Sequence, residues 1–139
     1  MANAIYPKYK HNLMTANTGA DVNLSANSGN DIKVFLCNST YTYAATHDYH
    51  NDLSGIIDIG VPVSGAIVYA NGTVNFGDVT YTAVPAQTAA QSIVIVKWNG
   101  GTANSHLIAY LDTGVTGLPV TPNGGDITIT WDAQGVFTL

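Results

Sequence analysis

His47, Asp48, His50 and Asp52 form the one cluster of metal-capable side chains in this sequence. On a helix, His47 and His50 are three residues apart and Asp48 and Asp52 four apart, so each pair could share a face. Imidazoles with carboxylates suit Zn2+, and carboxylates with carbonyls suit Ca2+. The spacing matches no recognised metal motif, and remote ligands would have to complete it. The cluster is therefore expected to cap and solvate a short helix, with no metal bound. Thr46 is the natural N-cap of that helix, Asp48 complements its positive end, and Ser54-Gly55 stops it.

Asp112-Thr113-Gly114 is a second chemical signal. Such a triplet can mark the catalytic loop of an aspartic protease, where two carboxylates share a proton. A chain of 139 residues would have to dimerise to supply the second carboxylate. The downstream Leu118-Pro119-Val120-Thr121-Pro122 does not continue in that style. The expectation is instead an Asx-type turn in which the aspartate accepts backbone N–H bonds. No Gly-x-Ser-x-Gly elbow, Gly-x-Gly-x-x-Gly or phosphate-binding loop occurs. No catalytic residue, cofactor or enzymatic activity is expected.

Eight Tyr and two Trp raise sugar binding, because aromatic faces stack on sugar rings. Tyr41, Tyr43 and Trp98 are the side chains such a module would use. Trp98 and Trp131 fall at inward positions or at strand ends, where core packing with a hydrogen-bonded tip is the expected role. Cys37, the single cysteine, lies in an apolar run, so it should act as a small buried hydrophobe and can form no intrachain disulfide.

The elements that would carry these residues are strands. The chain has no arginine and no glutamate; its charges are four Lys and nine Asp, a formal net charge of −5. Two good helix formers with long stems are thus missing. Thr, Asn, Gly, Val, Ile and Tyr dominate, which suits strands and tight turns. Strands are expected at Asp31–Cys37, Ile56–Val63, Ala66–Ala70, Thr73–Phe76, Val79–Val84, Ser92–Trp98, His106–Leu111, Asp126–Asp132 and Val136–Leu139, with a short one at Val22–Leu24. Asn71-Gly72 is a hairpin signal. About eight or nine strands with turn signals at short intervals give the pattern of an all-β sandwich or barrel, read as a single-domain sandwich over residues 1–139 with an N-terminal arm and loop at 1–30 and the sandwich core at 31–139.

Pro7 could open a short helix in that arm, with Tyr6, Tyr9, Leu13 and Met14 on one face. Tyr6, Lys8, Tyr9 and Lys10 are the candidate partner-contact residues, because two aromatics and two cations are otherwise hard to justify on an acidic protein. Only 9% of residues are charged, against about 25% in an average soluble domain. Part of the surface is thus expected to be covered in an assembly. Four scattered Lys make no basic stripe, so nucleic acid is not an expected partner. No apolar run approaches the ~20 residues of a membrane-spanning helix, and no signal peptide is expected.

The order of segments resembles small structural proteins encoded among the head and tail genes of tailed bacteriophages. The matching stretches are Asp31-Ile32-Lys33-Val34-Phe35-Leu36, the following aromatic stretch with Thr46-His47-Asp48, Ile108-Ala109-Tyr110-Leu111-Asp112-Thr113-Gly114, and Gly117-Leu118-Pro119-Val120-Thr121-Pro122-Asn123-Gly124-Gly125-Asp126-Ile127-Thr128-Ile129-Thr130-Trp131-Asp132. The likeness runs from about residue 5 to 139. It implies a head decoration, or cement, protein: a jelly-roll-like sandwich, often a homotrimer, made in the host cytoplasm and seated on the capsid surface of the virion. There it would clamp neighbouring subunits of the major capsid protein. A tail, baseplate or fibre component of the same virion is the alternative.

Overall fold

In a computed structural model of the chain, the described residues are 3–15, 22–24, 31–64, 67–68 and 71–139. The centre is a five-stranded antiparallel sheet in the order β1-β8-β7-β2-β3, built from β1 (Ala4–Ile5), β2 (Ile32–Asn38), β3 (Val61–Pro62), β7 (Ala90–Lys97) and β8 (His106–Leu111). The β-branched and aromatic runs predict these strands, and β2, β7 and β8 are buried on both faces, as interior strands must be. The register runs from Ile32↔Lys97 to Cys37↔Ser92 between β2 and β7, and from Ile93↔Leu111 to Lys97↔His106 between β7 and β8.

Two smaller sheets complete the layers. In one, β10 (Phe137–Thr138), β5 (Thr73–Asn75) and β4 (Ile67–Val68) pair in the order β10-β5-β4. In the other, β6 (Val79–Tyr81) pairs with β9 (Ile127–Ile129). Val79, Tyr81, Ile127 and Ile129 are buried, while Thr80 and Thr128 face outward with hydroxyls 3.1 Å apart. Tyr81 spans the layers: its hydroxyl donates to the Val34 carbonyl of β2. The result is an all-β, sandwich-like domain with one short helix. These sheets do not by themselves define a jelly roll.

The N-terminal segment forms the short helix that Pro7 could open, rather than an extended arm. β1 pairs with β8, and α1 (Pro7–Met14) begins with Pro7 in its first turn and packs against β8. Its inner face is Tyr9 and Asn12, whereas Leu13 and Met14 are exposed. Residues three apart share a helix face, and the sheet beneath accepts only that stripe. The strand expected at Val22–Leu24 does not form; Val22 accepts from the Tyr9 hydroxyl, and Leu24 is buried. The other expectations for 15–30 fall on 16–21 and 25–30, outside the described residues.

The helix expected at 46–53 is reduced to one 3₁₀ turn, His50–Asp52. Its N-cap is Tyr49, not Thr46, and Asp52 closes the turn by accepting from the backbone N–H groups of Asp48 and Tyr49 at 2.8 and 3.0 Å. Tertiary pairing wins here over helix propensity: Tyr49 bridges to His106, and the His50 N–H is taken by the Ser105 carbonyl.

Candidate functional site

In an antiparallel sheet, the end of one strand lies beside the start of the next. The order β8-β7-β2 therefore gathers the end of β2, the start of β7 and the end of β8 at one edge. A groove of about 540 Å³ opens there. Tyr41, Tyr43 and Tyr110 form its aromatic wall, with ring centroids 6.1 Å apart for Tyr41–Tyr110 and 5.6 Å for Tyr43–Tyr110. Neutral polar groups from Asn38, Thr42, Gln91, Ser92 and Thr113 line the rest, together with the Asp112 carboxylate.

The wall is fixed from behind. The Tyr6 and Tyr41 hydroxyls are 2.6 Å apart, and the Tyr41 hydroxyl is 3.0 Å from His47 Nδ1. Burial pushes the Tyr41 phenol up to about 12 and that of Tyr6 higher still, so both stay neutral at physiological pH. The Tyr110 hydroxyl donates to Asp112 Oδ2 at 3.4 Å, and burial raises its phenol as well. Asn3 holds the far lip. Its Oδ1 accepts from the Asp112 and Thr113 N–H groups at 2.8 and 3.1 Å, and its amide donates to the Thr113 carbonyl at 3.0 Å. Asn3 thus holds the Asp112-Thr113-Gly114 turn.

The structure distributes the expected contact residues unevenly. Tyr6 and Tyr9 are 0% and 1% exposed, so their side chains serve the core and the groove's backing, not a partner's surface. Lys8 is partly exposed and Lys10 exposed. A tyrosine at this spacing on a strand-helix junction is drawn inward because its ring area outweighs one satisfied hydroxyl.

The His/Asp cluster is not a joint site. His47 serves Tyr41, Asp52 caps the 3₁₀ turn, and no group of three metal-capable side chains meets among the described residues. Desolvation pushes the Asp52 carboxyl up, but the N–H bonds from Tyr49 and Asp48 outweigh it and hold the group below the usual range. Asp48 moves the other way, raised by desolvation and by Asp52 beside it. Burial lifts the Cys37 thiol to about 12, which keeps it unreactive.

At the opposite edge, the start of β2 meets the end of β7. Lys97, fully buried, is bound to Asp31 at 2.6 Å. Beside this pair is an open hollow of about 500 Å³ walled by Phe35, Ile56, Ile57, Ile59 and Trp98. His50 stands edge-on to Phe35 and to Trp98, at centroid distances of 4.6 and 5.3 Å, and Lys33 lies 4.4 Å over the Trp98 ring. Gly60 packs on the Phe35 ring, and Ile59 is 82% exposed. Trp98 therefore belongs to the hollow and not to the tyrosine groove. Trp131 is partly buried, stacks edge-on to Phe76 and donates its ring N–H to the Gly77 carbonyl.

The groove residues Gln91, Ser92 and Tyr110 carry no site motif. Only strand pairing, with Val94 opposite Tyr110 and Cys37 opposite Ser92, brings them to the same edge. The groove combines neutral donors and acceptors, aromatic surface and the Asp112 carboxylate. Comparison with protein-family models and with curated proteins finds no match to this chain.

Proposed function

We propose that this chain is a structural protein of a tailed-bacteriophage virion, acting as a head decoration (cement) protein. It binds the outside of the capsid where subunits of the major capsid protein meet, self-associates as a trimer, and stabilises the expanded shell. The segment order from about residue 5 to 139 supports this reading, as does a surface poor in charge. The observation that carries it is the apolar hollow around Phe35, Ile59 and Trp98. An exposed apolar face on a protein with four Lys and nine Asp suits a permanent contact, because interface cores are depleted in charge.

The mechanism is linkage. A protein that binds the expanded shell and not its precursor stabilises the expanded state, and many copies sum weak contacts. No bond is made or broken.

Purified protein added to undecorated heads tests this directly. Cryo-electron microscopy is expected to show density over capsid-subunit junctions. Replacing Ile59 by Asp, at an 82% exposed position where folding is spared, should cut occupancy at least tenfold, since burying one such side chain is worth about 1.5–3 kcal/mol. Density on the tail, baseplate or fibres instead would assign the chain to those parts and end the cement reading.

A further inference from the structure

We propose that the tyrosine groove at the edge of β2, β7 and β8 is a binding site for a neutral saccharide. This site is separate from the apolar hollow and lies at the other end of the same sheet. Its volume of about 540 Å³ falls within the roughly 300–1,000 Å³ of small-molecule clefts. Two features define the ligand class.

The first is the wall. Tyr43 is partly exposed, while Tyr41 and Tyr110 behind it are 4% and 6% exposed. Their centroids lie 5.6–6.1 Å from Tyr110, and the rings are tilted 48°. At that separation the rings touch one another. Tyr43 thus offers the accessible ring face, with Tyr41 and Tyr110 packed behind it, and no space is left between the rings for a cation. A quaternary ammonium needs rings arranged around it.

The second is the polar set. Gln91, Thr42 and Thr113 are exposed at the rim and offer amide and hydroxyl groups that both donate and accept. Asp112 is the one charged side chain among the lining residues, and it accepts only. Hydroxyl-rich neutral ligands match a mixed set of this kind. Phosphates and carboxylates do not, because no cation lines the groove among the described residues.

The test is titration of the whole 15N-labelled protein, followed by amide chemical shifts, with a panel of neutral sugars. The panel contains glucose, galactose, mannose and N-acetylglucosamine, each also as its disaccharide. At least one sugar is expected to shift the amides of Tyr43, Gln91 and Thr113 in a saturable manner, leaving those of Ile59 and Trp98 still. Tyr43→Ala should weaken that sugar tenfold or more. Gln91→Ala, an exposed change that leaves the aromatic stack intact, should weaken it severalfold. Ile59→Asp should leave it unchanged, which separates this site from capsid attachment. The proposal is overturned if no sugar in the panel produces saturable shifts at the groove. It is equally overturned if both groove variants bind like the parent, or if tetramethylammonium binds there in place of the sugars.

Discussion

Removing either member of the Lys97–Asp31 pair should destabilise the protein, but unequally. Lys97 Nζ sits 2.6 Å from Asp31 Oδ2; the lysine side chain is 0% exposed and the aspartate 20%. At an effective dielectric of about 20, two unit charges at this distance attract by about 6 kcal/mol, most of which offsets their desolvation. The net cost of breaking the pair therefore depends on which charge is left behind. Asp31→Asn keeps the shape but leaves a fully buried ammonium facing a neutral amide. Breaking a buried pair in this way costs about 3–5 kcal/mol, and the surviving acceptor oxygen favours the lower end. Lys97→Met leaves a carboxylate whose side chain is 20% exposed, although its Oδ1 is buried, so a smaller loss of about 1–2 kcal/mol is expected. For 139 residues, an unfolding entropy of about 2.1 cal/mol/K per residue converts 1 kcal/mol into roughly 3–4 °C. Calorimetry should then show Tm falling by about 10 °C for Asp31→Asn and about 5 °C for Lys97→Met, with the double variant close to the lysine variant alone. If Lys97→Met is as damaging as Asp31→Asn, or the two losses simply add, the ion pair is not what holds the start of β2 to the end of β7.

Two further outcomes follow from the same geometry. Burial and the nearby Lys33 lower the pKa of His50, so the unfolded chain takes up a proton before the folded one does. Its contribution to stability is complete above the unfolded value of about 6.5 and is lost as pH falls through that value towards the folded one; His50→Phe should flatten this part of a Tm-against-pH curve, and an unchanged slope would refute the assignment. Gly117 has φ +106°, and a Cβ there would come within 2.6 Å of the Thr128 carbonyl oxygen, whereas Gly114 has φ +68° and open space. Gly117→Ala should cost roughly 2–4 kcal/mol and Gly114→Ala about 1 kcal/mol in urea unfolding, and equal midpoints would contradict the turn geometry.

The strands were legible because β2, β7 and β8 are long apolar runs whose periodicity needs no tertiary help. What lay beyond the sequence was decided by contacts between distant residues. The 46–53 segment carries a helix's caps, yet the pull of Ser105 and His106 leaves only His50–Asp52 wound. The N-terminal residues read as either a short helix opened by Pro7 or an extended arm. β1 pairing with β8 then turns Tyr6 and Tyr9 inward. Of the groove, Tyr41 and Tyr43 could be singled out by residue type. Gln91 and Ser92 could not, since their roles exist only once β7 lies between β2 and β8.

That placement has a consequence for how one small sheet can hold two surfaces of opposite character. Antiparallel pairing makes each edge of the sheet a junction of three chain segments, so each edge can be given its own chemistry. At one edge, Asn38 and Gln91 at the strand ends and Asp112 just beyond β8 present polar groups, Gln91 exposed and the other two partly so. At the other, Lys97 and Asp31 neutralise one another, and the surface beside them is left to Phe35, Trp98 and Ile59. The buried strands between the edges, from Ile93 to Val96 and from Leu107 to Ala109, separate the two surfaces with close-packed side chains. The two surfaces share no lining residue, and among the described residues no element with two arrangements links them, so ligand in the groove and a partner on the hollow should bind independently. Occupancy of heads by the protein should therefore be the same with the groove filled or empty. A change in either affinity caused by the other would show that the sheet bends between its edges.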